Sequence, residues 1–339
     1  MVQAVRMPTS VPPSRRRALG WLGLPLLGTL APARAAGDYP ARPVRILVPF
    51  TPGGSSDILA RAIGQELGRG WQQPVVVENV PGAGGTLASE RAARSAADGH
   101  TLFMGHTGTL AVNPWLYPRL RFDPLAAFAP VAAVAGVPNV LVVHPSVPAA
   151  SLAELLAHAK ARPGQLAYGS GGNGSAAHLT MEYLKLQTGL QALHVPYKGT
   201  APSVNDLLGG QVQLLFTGAP ALLPHIRAGG MRAIAVSSAR RLPQLPDVPT
   251  VAETGVAGTR GFEADQWYGL VAPAGTPAAV VQTLNMRVNQ ALASEGVRAR
   301  LATEGADPMP ITPQAFGQWI AKDKARWEAV IKAAHVTVE

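Results

Sequence analysis

The chain has 339 residues, 47% of them hydrophobic and 14% charged, no cysteine, and a formal net charge of +9. That composition describes a globular chain long enough for two α/β lobes, and it excludes disulfide frameworks, cysteine–zinc sites and intrinsic disorder. The charge does not indicate nucleic acid: five arginines (6, 15, 16, 17 and 34) and no acid lie in residues 1–35, leaving +4 on residues 36–339 with no aromatic-interleaved basic stripe.

Arg15, Arg16 and Arg17 precede an uncharged run from Ala18 to Ala31 and then Ala33-Arg34-Ala35. Basic, apolar, small-x-small is the order of a secretory leader. The reading is a signal peptide over 1–35, cleaved near Ala35, and a periplasmic mature protein. The run is too short and too interrupted by Gly and Pro for a spanning helix. Whether export is by Sec or Tat stays open.

After residue 43, strand-like and helix-like runs alternate. "VRILVP" (44–49), "PVVVEN" (74–79) and "TLFMG" (101–105) read as strands, with helices over 57–67 and 84–96 between them. This βαβαβ order implies a parallel sheet with right-handed crossovers. A second series opens at "NVLVVH" (139–144). A helix begins at Ser151 as N-cap with Glu154 closing a capping box. "QLAYGS", a helix ending near Gly189, "ALHVPY", "VQLLFT" and "MRAIAVSS" follow. The pattern changes again at "FEADQWYGLVAPAGTP" (262–277), and the last helix opens at Thr312-Pro313. The division expected is a first lobe of 36–138 and 256–339, a second lobe of 139–255, a hinge of two crossings, and a ligand cleft between them.

Four Gly- and hydroxyl-rich loops stand at the C-terminal ends of predicted strands: 51–57, 81–86, 105–110 and 169–175. None holds a Lys or Arg. In open α/β sheets this edge binds ligands, and the first turn of the following helix offers unpaired N–H groups and partial positive charge to an anion. In "YGSGGNGSAAH" (168–178), Gly169, Gly171 and Gly174 match G-x-G-x-x-G. A nicotinamide cofactor also needs an acid about 20 residues on, and "HVPYKG" (194–199) has none. An anion cradle without cofactor is the better reading, beside a loop whose glycines merely permit a tight turn. Metal-binding spacings are missing. Ser175 and His178 lie on one helical face, as a nucleophile–base pair or, more simply, as a cap and its neighbour. Asp57 reads first as an N-cap and second as a ligand contact. Trp267 and Tyr268 fit core packing and ligand contact equally.

The ordered set "VPFTPGGSSDILAR", "VENVPGAGGT", "NPWLY", "VPNVLVVHPSVP", "YGSGGNGSAAHL", "HVPYKGTAPSVNDLLGGQVQLLF", "RLPQLPDVPTVAETGV" and "WYGLVAPAGTP" resembles the Bug receptors, the extracytoplasmic solute-binding proteins of tripartite tricarboxylate transporters. The resemblance covers roughly 38–335. It implies an α/β, two-lobed type II periplasmic binding protein fold with a hinge and interdomain cleft. It also implies a monomer without catalytic activity, cofactor or metal, capturing a small carboxylate or related solute for a membrane permease or sensor. By motif match, the solute would meet Gly53, Gly54, Ser55, Ser56 and Asp57 on one side. Ser170, Gly171, Asn173, Gly174, Ser175 and His178 would face them, with Thr107 flanking. Thr217 and Gly218 stand where many members carry an acid and an amide, which disfavours an amino acid ligand. The alternative function is an exported hydrolase using Ser175 and His178.

Overall fold

The run at Val44–Val48 forms strand β1 because its residues are apolar on both faces and only Arg45 reaches solvent. In the computed structural model, which describes residues 39–117, 120 and 123–334, β1 is the parallel neighbour of β2 (Val75–Asn79) and β3 (Thr101–His106). The leader expected over 1–35 lies outside the described residues. Helix α1 (Ser55–Trp71) crosses from β1 to β2, and α2 (Thr86–Ala93) from β2 to β3. Leu59, Ile63 and Leu67 form one buried stripe of α1. Each contributes roughly 1.5–3 kcal/mol by leaving water, which explains why the stripe, and not propensity alone, sets this helix.

Short helices α3 (Asn113–Leu116) and α4 (Pro124–Ala127) lead to β4 (Phe128–Val137), a strand that the hydropathy pattern had not suggested. Its Ala-rich sequence is buried along nearly its whole length, so it lacks the alternation that marks a half-exposed strand. From Asn139 the chain builds a second sheet from β5 (Asn139–Val143), β6 (Ala167–Ser170), β7 (Leu193–Pro196), β8 (Leu214–Gly218) and β9 (Arg232–Val236). Between them run α5 (Leu152–Ala161), α6 (Ala176–Thr188), α7 (Thr200–Leu208) and α8 (Leu223–Arg227). The chain then returns through β10 (Gln266–Pro273) and ends in α9 (Ala278–Ala293), α10 (Glu295–Thr303), the two-residue β11 (Asp307–Pro308) and α11 (Pro313–Ala334).

The strand orders are β11-β4-β10-β3-β1-β2 and β7-β6-β8-β5-β9. The βαβαβ strands β1, β2 and β3 are parallel, as their order implies, and both sheets become mixed through strands that join from the crossings. β10 is antiparallel to β3 and β4, and β5 is antiparallel to β8 and β9. The crossings dictate this. β4 carries the chain out of the first sheet and β10 brings it back, so the two run oppositely. β5 begins at the crossing where β8 ends, and Asn139 accordingly pairs with Gly218.

One side of the six-stranded sheet packs Leu59 and Ile63 against Leu284 and Val288 of α9 and Leu301 of α10. The other packs Ala88 and Ala92 against Phe316, Ile320 and Trp327 of α11. The five-stranded sheet is covered by Leu152 and Leu155 of α5 and Met181 and Leu184 of α6 on one side, and by Val204 and Leu207 of α7 on the other. The result is a two-lobed α/β fold in which β1, β3, β6 and β8 end, and β5 and β10 begin, at one shared cleft.

Buried amides stitch the crossings together. Asn139 Nδ2 donates to the Ala264 carbonyl at 2.7 Å and to Thr180 Oγ1 at 3.1 Å, and its Oδ1 accepts from Gln266 Nε2 at 2.6 Å. The Asn139 N–H donates to Ser237 Oγ at 2.8 Å, and Ser237 Oγ donates in turn to Asp265 at 2.5 Å. Burial pushes the Asp265 carboxyl up to about 6.

Candidate functional site

The loop after β1 is held by the carboxylate of Asp57. It accepts from the Gly53 N–H at 3.0 Å, Asn79 Nδ2 at 3.0 Å and Arg61 Nε at 3.1 Å. Burial alone would raise this carboxyl, but the bonds from Arg61, Gly53 and Asn79 outweigh it and hold the group below the ordinary carboxylate range. Gly53 has φ of +87°, a left-handed conformation that turns the chain into α1 at little steric cost. The N–H groups of Ser55 and Ser56 open the helix and have no intrahelical acceptor.

Across the cleft, Ser175 caps α6 by accepting from the His178 N–H at 3.3 Å. His178 Nδ1 accepts from the Gly174 N–H at 3.2 Å, with Gly174 at φ +75°. Ser170 Oγ accepts from the Gly172 N–H at 3.1 Å and lies 2.6 Å from His194 Nε2. The His178 and His194 rings stack with centroids 4.1 Å apart. Burial pushes them down to about 4 and about 3 respectively. A third helix, α7, starts at Thr200 beside them.

These starts converge on a cavity lined by Gly54, Ser55 and Ser56 of α1, Gly171, Ser175, Ala176 and Ala177 of α6 and its loop, and Thr200 of α7. Phe50, His106, Thr217, Gln266 and Tyr268 complete the wall. No Lys, Arg, Asp or Glu is in that lining among the described residues. The cavity is small, about 10 Å³, room for about one water. The lobes are therefore closed on each other. Tyr117 Oη donates across the cleft to the Asn173 carbonyl at 2.7 Å, and a Cβ added at Gly199 would lie 2.3 Å from Thr51 Oγ1. A larger groove of about 800 Å³, lined in part by Pro138 and Asp265 of the crossings, mixes Arg240 and Arg298 with Glu263 and Asp307. Its lining includes none of the first residues of α1, α6 or α7, so the smaller cavity is the candidate site.

Of the residues expected from sequence, Gly54, Ser55, Ser56, Gly171, Ser175 and Thr217 line the cavity. Gly53, Asp57, Ser170, Asn173, Gly174 and His178 stand behind it and shape the loops through the bonds just described. Thr107 is buried and accepts from the Trp267 N–H at 3.1 Å, tying β10 to the end of β3. Asp57, Ser170, Gly174 and His178 spend polar groups on their own turns, whereas Asn173 and Thr107 accept from the distant Tyr117 and Trp267. Sequence reading did not find Phe50, His106, Ala176, Ala177, Thr200 or Gln266. Gly199-Thr200 before an amphipathic run was a usable helix-start signal, whereas Gln266 carries no local mark.

Ser175 and His178 meet through the backbone N–H and not through the imidazole. The ring nitrogen nearest the loop is already an acceptor for Gly174. The pair is a helix cap and not a base poised to take a hydroxyl proton. The arrangement instead offers main-chain N–H groups, hydroxyls and helix-start potential to an anion.

Protein BugT of Bordetella pertussis is 42% identical over 306 residues, which is 90% of this chain and 93% of that protein. A solved R. palustris protein with adipate is 40% identical, with a TM-score of 0.85 over 88% of this chain and 99% of that one. MatC of Rhodopseudomonas palustris with bound malate is 35% identical, with a TM-score of 0.82 over 86% of this chain and all of that one, 100%. The model of the tripartite tricarboxylate transporter family receptor matches residues 59–336. With helix starts from both lobes closing on one uncharged cleft, and with these relatives matched along nearly their whole length, this chain belongs to the tripartite tricarboxylate transporter receptor family.

Proposed function

We propose that this protein is a non-enzymatic periplasmic receptor that captures a small carboxylate lacking an ammonium group and presents it to a membrane permease. One observation carries the reading: three helix starts, α1, α6 and α7, meet at a cavity whose lining has hydroxyls and free N–H groups but no charged side chain. Each helix start stabilises an anion by roughly 0.3–1 kcal/mol, and by up to about 2 when partly buried. Without a lining carboxylate, an ammonium group would be desolvated with nothing to pair it. Thr217, buried on the cavity wall, offers a hydroxyl at the position where an acid would pair such a group. The relatives solved with adipate and with malate hold ligands of this chemical class.

The domain reading that goes with it is a leader over 1–35, a first lobe of 36–138 and 256–339, and a second lobe of 139–255. Among the described residues no helix is long and apolar enough to cross a membrane. Solute binding would favour closure because only the closed form brings both lobes' donors onto one guest. Titration calorimetry with adipate, malate, succinate and L-aspartate tests the reading. A diacid should bind and L-aspartate should bind more weakly than succinate. L-aspartate binding more tightly than every des-amino analogue would refute it, as would turnover of any bound ester.

A further inference from the structure

The geometry points to His106 as a specificity-determining ligand of the bound solute, donating from Nε2–H to a carboxylate or hydroxyl oxygen. The inference rests on the carboxylate reading and sharpens it.

His106 ends β3 and caps the turn that follows. Its Nδ1 accepts from the Thr109 N–H at 3.2 Å, and its own N–H donates to Thr109 Oγ1 at 3.1 Å. An imidazole whose Nδ1 accepts must carry its proton on Nε2. The Nδ1–Cε1 edge sits against the turn: a Cβ added at Gly108 would lie 2.3 Å from Cε1 and 3.0 Å from Nδ1. His106 lines the cavity, which leaves Nε2, the ring nitrogen not spent on the turn, to serve it, and among the described residues no protein acceptor takes that proton. Phe50 stacks on the ring at 5.1 Å, and the Tyr268 ring stands perpendicular at 5.7 Å. The ring is thus fixed before any ligand arrives. Burial pushes the imidazole down to about 4, and no lining carboxylate counters that, so the donor is uncharged at neutral pH. Such a group can meet an oxygen acceptor and cannot accept from an ammonium, since its one acceptor is spent on Thr109. His106 therefore works with Thr217 to sort ligands by the polarity of a hydrogen bond and not by charge pairing.

Two variants separate ligand contact from architecture. His106→Asn keeps a capping oxygen for the Thr109 N–H but is too short to reach the solute. His106→Gln keeps both a cap and a reaching N–H. Adipate and malate affinities by calorimetry should fall roughly ten- to a hundred-fold in His106→Asn, and clearly less in His106→Gln, with both apo proteins melting near the wild type. The ¹⁵N spectrum of the imidazole should show the Nε2–H form from pH 6 to 8 and a shift at Nε2 on saturation with the diacid. Binding within twofold of wild type in His106→Asn, or an Nε2 signal unmoved by bound diacid, overturns the role of His106 while the receptor reading stands. A wild type that binds neither diacid overturns the receptor reading and this inference together.

Discussion

Gly199→Ala should hold the cleft open without unfolding the protein. Gly199 has φ 161° and ψ 174°, extended backbone that alanine adopts freely, so the substitution carries no conformational strain. The added Cβ would lie 2.3 Å from Thr51 Oγ1 and 2.9 Å from the Thr51 nitrogen. Carbon makes its best contacts at about 3.5–4.0 Å, so the two loops must separate by roughly 1 Å. Thr51 precedes α1 and Gly199 precedes α7; the clash therefore exists only when the lobes are together. Overpacking of this kind costs about 1–3 kcal/mol. Charged to the closed state alone, it weakens ligand binding by roughly 5- to 150-fold, since each 1.4 kcal/mol is about tenfold. Calorimetry with adipate reads the loss, and thermal melting of the unliganded protein should stay within about 1 °C of wild type. Thr51→Gly in the same chain removes the Oγ1 contact and should return part of the affinity. Unchanged affinity, or an apo melting loss that accounts for the whole effect, would refute the reasoning.

Tyr117→Phe deletes the bond to the Asn173 carbonyl and should weaken the diacid by a few-fold, about 0.5–1.5 kcal/mol, leaving urea unfolding of the apo protein almost unchanged; an equal loss in both measurements argues against a closure contact. Asn139→Ala strands Gln266 Nε2 and leaves the Ala264 carbonyl only the long bond from Thr180 Oγ1 at 3.4 Å, and should cost about 1–3 kcal/mol in urea unfolding; a loss under about 0.5 kcal/mol would mean the network is dispensable. The buried histidines predict acid sensitivity. A histidine whose folded pKa is depressed stabilises the fold above its unfolded pKa and loses that contribution as pH falls. For His106, lowered from the ordinary 6.5 to about 4, the loss at pH 5 is about 2 kcal/mol, and His178 and His194 act in the same direction. Asp265, raised to about 6, has the opposite sign: its stabilisation is present below the unfolded carboxylate pKa and is lost as pH rises through 6. Urea midpoints should therefore fall between pH 7.5 and 5, and fall more steeply in Asp265→Asn; a flat profile in both proteins contradicts the histidine burial.

The sequence by itself determined the local elements and their punctuation. Apolar runs placed β1, β2, β3 and all five strands of the second sheet. Ser151 capped α5 as expected, with a refinement: Glu154 reaches the Ala150 N–H at 2.6 Å and not that of Ser151. The absence of Lys and Arg from the Gly-rich loops, and the ordered motifs across the chain, were enough to indicate a receptor with an anion-holding cleft. These features are local because period, capping and turn chemistry act over a few residues.

The tertiary structure decided what depends on residues distant in the chain. β4 is a strand because β10 and β11 pair with it; its own Ala-rich pattern is silent. Asp57 reads as a cap or a ligand contact from its loop alone, and the fold shows it and His178 accepting from Gly53, Arg61 and Gly174. His106, Thr200 and Gln266 join the cavity only because closure sets β3, α7 and the start of β10 beside α1 and α6. A side chain's partners inside a turn follow from its neighbours in sequence. Its access to a shared cleft follows from how two separately folded sheets meet, and no short-range pattern encodes that.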